Sequence, residues 1–120
     1  YKSKYAASLW KDGKVDQAKA IFNQILDDKK DTFYSYVAAA WVLIDKDLDI
    51  EWGIRAALAA MEIKPNNLQC MDILGWGYFK NHEYEKAVSY LNQSMNMAPS
   101  EEVKRRLAMA KEKIDESQKK

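Results

Sequence analysis

Cys70 and His82 are the only thiol and the only imidazole in the sequence, so thiolate chemistry of the usual kind would have to pair them. Their spacing forbids it. A helical pattern runs between them, and twelve residues of helix at about 1.5 Å each hold them roughly 18 Å apart, far beyond hydrogen-bond reach. Cys70 is expected to pack as a small hydrophobe. One Cys and one His also cannot complete the ligand set of a protein-only zinc site, and a lone Cys forms no internal disulfide. Hard cations are the next chemistry to consider, because Asp27-Asp28-Asp31 and Asp45-Asp47-Asp49-Glu51 gather carboxylates. Neither run has the interrupting Gly or the closing Glu at the twelfth place that folds a calcium loop around its ion. They read as solvated acids flanking helix starts, where the helix dipole favours negative charge. Neither a phosphate-cradling Gly-rich loop nor a Ser-centred nucleophile elbow is present. No catalytic residue, metal ligand or cofactor site is expected, and the chemistry left to the chain is binding.

Composition narrows what is bound. The 120 residues suffice for one hydrophobic core, and 48% hydrophobic with 31% charged residues, four Gly and two Pro is a composition that folds rather than one that stays disordered. Nineteen Lys and Arg against eighteen Asp and Glu leave +1, which provides no bulk field for nucleic acid or an anionic membrane. The basic run Lys104-Arg105-Arg106 is hemmed by Glu101, Glu102 and Glu112 and reads as a solvated helix face. No apolar run reaches the roughly 18 residues of a membrane span, so this segment is not expected to insert directly. The chain opens at Tyr1 without a Met, as expected of a fragment or a processed protein. The expected partner is a protein or peptide.

The elements that must position such a partner are helices in a repeat. Counting back 34 residues carries Pro99 to Pro65, Ala87 to Gly53 and Leu74 to Ala40, and a further 35 carries Gly53 to Ala18 and Ala40 to Tyr5. Three copies follow, over about 1–31, 34–65 and 68–99, with one extra residue before the second. In the first copy Tyr5, Leu9, Val15, Ala18, Phe22 and Ile25 keep a helical spacing on either side of Asp12-Gly13, which reads as helix, turn, helix. Gly13 supplies a positive φ at the turn, and His82 after Asn81 takes the matching place in the third copy. Pro65 and Pro99 end second helices, because Pro lacks an amide hydrogen and biases the residue before it away from helix. Asn66 and Ser100 then suit the starts of the next helices. Ala18, Gly53 and Ala87 are small where two helix backbones must approach within about 8–10 Å. From 101 to about 117, Val103, Leu107, Ala110 and Ile114 share one face of a charged segment, the pattern of a helix that caps an exposed apolar end.

The run Leu74-Gly75-Trp76-Gly77-Tyr78-Phe79-Lys80, with Ala87 and Pro99, resembles the first-helix signature and spacing of the tetratricopeptide family. The resemblance implies an all-α, right-handed solenoid of three repeats with a C-terminal capping helix, acting as a non-catalytic protein-interaction module. In that family the first helix of each repeat lines a concave groove, and its second, fifth, ninth, twelfth and thirteenth positions commonly face the ligand. Those places fall on Ser3, Ala7, Trp10 and Lys11, on Ser35, Ala38, Val42, Asp45 and Lys46, and on Gln69, Asp72, Trp76, Phe79 and Lys80. The clamp of Lys, Asn, Asn, Lys and Arg by which some members hold a chaperone's C-terminal carboxylate is replaced by Ser3, Ala7, Ala39, Gln69 and Ile73. An extended segment or an amphipathic helix fits such a groove better.

Trp76 stands where the family usually places a small or polar residue. It reads as an apolar anchor in the groove or, alternatively, as packing, and Trp10 and Phe79 have the same two readings. Burial of about 150–250 Å² on a Trp is the kind of contact that dominates hot spots. A second feature is the middle copy, apolar almost throughout from Tyr36 to Ile44 and again at Ile50, Trp52, Ile54, Ala56 to Met61 and Ile63. A central repeat sandwiched between neighbours needs that surface. The other reading is a second interface at Trp52, through which a scaffold self-associates as a homo-oligomer or docks into a larger assembly. The third copy also resembles repeats common in bacterial cell-envelope proteins of secretion, pili or polysaccharide export.

Overall fold

The computed structural model describes residues 2–27 and 33–119. Among them run seven α-helices and no strand: α1 (Lys2–Lys11), α2 (Val15–Asp27), α3 (Phe33–Asp45), α4 (Ile50–Ile63), α5 (Leu68–Lys80), α6 (Tyr84–Met97) and α7 (Glu101–Gln118). Pairs α1/α2, α3/α4 and α5/α6 pack as hairpins, α7 closes on α6, and α3 touches both α1 and α5 along an inner layer. The result is a right-handed α-solenoid of three tetratricopeptide-like repeats with a C-terminal capping helix. Its radius of gyration, 14.9 Å, exceeds the about 13.6 Å of a globular chain of this length, as stacking in one direction requires.

Local chemistry sets the turns. The second residue after each first helix is left-handed: Gly13 at φ 85°, Asp47 at 56° and His82 at 63°. Each donates its amide to a carbonyl three residues back, on Trp10, Ile44 and Phe79 respectively, at 3.1 Å. Gly13 meets no Cβ penalty there, and Asp and His tolerate the conformation better than most. Second helices stop at extended residues, Lys64 (φ −129°) and Ala98 (φ −153°), each immediately before a proline. Three helix starts are capped by side chains: Asp49 accepts from the Trp52 amide at 3.1 Å, Asn67 from Cys70 at 3.2 Å and Ser100 from Val103 at 3.4 Å. The cap of α5 is therefore Asn67, not Asn66. Asn66 follows Pro65 at φ 61° and is spent on the turn.

The register of the middle repeat also differs from a constant 34-residue count. Gly13, Asp47 and His82 stand 34 and 35 residues apart, whereas the small helix-contact residues Ala18, Gly53 and Ala87 stand 35 and 34 apart. The extra residue therefore lies inside the turn of the second repeat, between Asp47 and Gly53. Leu48, in that turn, packs its side chain against the core of the first two repeats. Everything on α3 is consequently displaced by one place relative to α5: Ala40 matches Gly75, and Trp41 matches Trp76.

The core repeats the same contacts along the stack. Ala18 and Ala87 are fully buried, and at Gly53 a Cβ would lie 2.6 Å from Ile44 Cγ1 and 3.1 Å from the Ala40 carbonyl, so only glycine allows α3 and α4 this close. Cys70 is buried in a cluster with Phe33 and Ala60, and burial pushes its thiol pKa up. His82, at the other end of α5, has Nδ1 2.7 Å from the Tyr84 hydroxyl. Of the acidic runs, Asp28 and Asp31 lie outside the described residues, as does the end of the first repeat near Asp31. On α7, Val103 and Ala110 are buried and Leu107 and Ile114 half-buried. Arg106 is a correction to the solvated-face reading. Its side chain is only 12% exposed and bonds Glu102 at 2.7 Å, while Lys104 and Arg105 are solvated.

Candidate functional site

Two clefts lie side by side on the inner layer. The first, about 440 Å³, runs between α1 and α3 and is lined by Lys4, Ala7, Ser8 and Lys11 on one side and Trp41, Val42, Asp45 and Lys46 on the other. The second, about 340 Å³, runs between α3 and α5 beside Val37, Ala38, Trp41, Gln69, Asp72 and Ile73. Trp41 belongs to both walls and remains 37% exposed. A helix presents one residue per turn to each neighbour, so a side chain at the crest of α3 separates the furrow toward α1 from the furrow toward α5.

The residues expected to face a ligand divide into two groups. Ala38, Gln69 and Asp72 line the α3/α5 cleft, and Ala7, Lys11, Asp45 and Lys46 line the α1/α3 cleft. Asp72 is further held by the Ser94 hydroxyl, which donates to Oδ1 from the buried face of α6. Val42 only edges the first cleft, since it is 7% exposed and belongs to the core. Ser3 is buried. The remaining candidates are drawn into packing. Trp10 meets Phe22 edge-on at 6.2 Å under the ammonium of Lys19. Trp76 stacks on Phe79 with ring centroids 5.6 Å apart and planes within 8°, and Phe79 in turn meets the edge of Tyr84. The Arg106 guanidinium reaches across from α7 to 4.5 Å from the Trp76 ring. Among the described residues, Trp76 Nε1 and Arg106 Nε are buried without a hydrogen-bond partner.

Lys80 is occupied differently again. Its ammonium donates to the Ile44 carbonyl at 3.1 Å, the Asp45 carbonyl at 3.2 Å and Asp47 Oδ1 at 2.9 Å, and lies 5.2 Å from the Trp76 ring. It thus closes the C-terminus of α3, where unpaired carbonyls and the helix dipole favour a cation. On the opposite layer, Trp52 packs edge-on to Phe22 at 5.7 Å and borders a shallow furrow with Leu26, Tyr36 and Arg55. Tyr36 donates its hydroxyl to the Leu26 carbonyl at 2.9 Å, tying the third helix to the end of the second.

Trp41 is the residue the sequence reading missed. A 34-residue count put Val42 at the ninth place of α3, whereas the one-residue insertion in the following turn puts Trp41 there. The signal was present: Ala40-Trp41 and Gly75-Trp76 are the same small-aromatic pair, 35 residues apart.

This geometry defines a tetratricopeptide-like helical repeat with an open inner face. Among solved structures the chain is similar to MamA, a tetratricopeptide-containing protein. The structure of MamA MSR-1 superposes with a TM-score of 0.71 at 20% identity over 96% of this chain. A MamA mutant gives 0.70 at 21% identity over 96%, and MamA AMB-1 gives 0.71 at 20% over 97%. The chain spans 66%, 67% and 63% of the lengths of these three. No family model and no curated protein matches the sequence.

Proposed function

We propose that the chain is a non-catalytic protein-interaction module that holds a segment of a partner protein against the inner face of α1, α3 and α5. The observation that carries this reading is the pair of adjoining clefts sharing Trp41, a large aromatic side chain that lines both and stays 37% exposed. Clefts of this size suit a few side chains of a peptide, and Trp is the residue type most enriched at binding hot spots. The repeats are preformed by their own core, so the ligand loses conformational freedom while the receptor loses little. Nothing in this mechanism needs a thiol or an imidazole, and Cys70 is shut inside the core.

The test compares capture of partners from the source cell's lysate by the native chain, by Trp41→Ala and by the outer-layer variant Glu51→Ala, each shown to be equally helical. A partner retained by the native chain and Glu51→Ala but lost with Trp41→Ala supports the inner face. Partners that persist with Trp41→Ala refute it and move the search to the outer layer. The alternative is a scaffold that self-associates or docks into a larger assembly through the middle repeat, where half-buried Trp52 meets Phe22 edge-on and borders the shallow furrow beside Arg55.

A further inference from the structure

The charge on the inner face is not spread evenly. The α1/α3 cleft is lined by three lysines, Lys4, Lys11 and Lys46, and by one acid, Asp45, although the chain as a whole carries only +1. Lys4 and Lys11 are seven residues apart on α1 and therefore share one face, with Ala7 between them. Among the described residues these three lysines form no ion pair, whereas Lys80, Lys86, Arg106 and Lys113 each have a carboxylate partner. Across Trp41 the balance reverses. The α3/α5 cleft is lined by no cation, and its one charged group is Asp72. The two furrows thus share an apolar wall and differ in electrostatic sign.

We infer that the α1/α3 cleft receives an acidic stretch of a partner protein, with an apolar side chain seated against Trp41 and the chain continuing as uncharged residues into the α3/α5 cleft. This rests on the reading of the inner face as the binding surface and adds the chemistry and direction of the ligand. Three lysines without internal partners repel one another, and bound carboxylates relieve that repulsion while the Trp41 ring is covered from water. A folded domain is not the occupant this describes, since each cleft holds only a few side chains. A nucleic acid is disfavoured by the same pattern: a phosphate backbone needs continuous positive charge, and here it would meet Asp45 and then Asp72 within one helix spacing.

The experiment selects 12-residue peptides from a random display library on the whole chain, then measures the dissociation constants of the enriched peptides by fluorescence anisotropy. The expected peptides carry two or more Asp or Glu close to a Leu, Phe or Trp. Their affinity should fall at least about tenfold with Trp41→Ala and with the combined Lys4→Glu, Lys11→Glu and Lys46→Glu variant. It should also weaken several-fold between roughly 50 and 300 mM salt, as screening of an exposed charge cluster predicts. Selection on the lysine-reversed chain should return basic peptides. Helicity and melting temperature are matched first, and because the lysines are solvated the reversed variant carries the test even if Trp41→Ala is poorly folded.

Neutral or basic peptides that still depend on Trp41 overturn the acidic-ligand inference and leave the inner-face reading standing. Peptides insensitive to both variants overturn both. An empty selection, tighter binding of a polyuridylate oligonucleotide at the same lysines, or lysine-dependent self-association in sedimentation overturns the inference as well.

Discussion

Replacing Lys80 by Met separates two roles for the same side chain, one toward a ligand and one toward the end of α3. Met keeps the aliphatic stem and removes the ammonium. Three polar contacts disappear, the bonds to the Ile44 and Asp45 carbonyls at 3.1 and 3.2 Å and the ion pair with Asp47 at 2.9 Å, and the charge leaves the edge of the Trp76 site 5.2 Å away. They are unequal. Asp47 is 67% exposed, so that pair contributes at most about 1 kcal/mol,. Ile44 keeps one partner, the Asp47 amide, and the main loss falls on the Asp45 carbonyl and on the cation at the helix terminus. A hydrogen bond involving a charged group is worth about 1.5–3 kcal/mol and the terminal charge about 0.3–1 kcal/mol. Allowing for their overlap, Lys80→Met should cost about 2 kcal/mol, a melting-temperature drop of about 6–10 °C for a domain of this size. Asp47→Asn keeps a residue that tolerates the left-handed backbone and should cost about 0.5 kcal/mol or less. Urea unfolding followed by far-ultraviolet circular dichroism, with both variants side by side, provides the comparison. Equal and small losses would refute the capping role, and loss of partner binding by a fully stable Lys80→Met would return the residue to the ligand.

Gly53→Ala brings a methyl group to 2.6 Å from Ile44 Cγ1 against a nearby backbone carbonyl; the clash should outweigh the better helix propensity and destabilise by about 1–2 kcal/mol in the same urea assay. A double-mutant cycle of Trp76→Phe and Arg106→Met should give a coupling of about 0.5–2 kcal/mol, because the guanidinium lies over the ring in a partly dehydrated contact; additive losses would mean the two merely adjoin. Cys70 should react with a thiol reagent only as fast as the chain opens. Its pKa is raised by burial in the folded state, so the unfolded thiol ionises first as pH rises. The stability difference between the native chain and Cys70→Ala, constant below about pH 8.5, should therefore shrink above it, as read from urea midpoints at neutral and alkaline pH.

The sequence by itself determined the repeat, because the devices that mark it act locally. A proline ends a helix wherever it stands, a left-handed residue closes the hairpin at Gly13 and His82, and small residues at Ala18, Gly53 and Ala87 recur because two backbones cross there in every copy. The face of the capping helix was legible for the same reason, since Val103, Leu107, Ala110 and Ile114 follow one helical period. Cys70 needed only its distance from His82.

What only the tertiary structure decided is which exposed-looking residues are spent and which are left. Lys80 and Arg106 are cations that sequence places on helix surfaces, yet one reaches the end of a helix about 35 residues away in the chain and the other covers Trp76 from α7. Long side chains choose partners across helices, and nothing in a single helix's pattern specifies that choice. Trp41 shows the same limit at the level of register. One additional residue in the turn around Leu48 changes no helical period, so the count along the chain could not say on which side of the turn to place it. Packing decides: Gly53 must meet Ala40 and Ile44, the extra residue is left in the turn, and Trp41 rather than Val42 is carried to the crest between the two clefts.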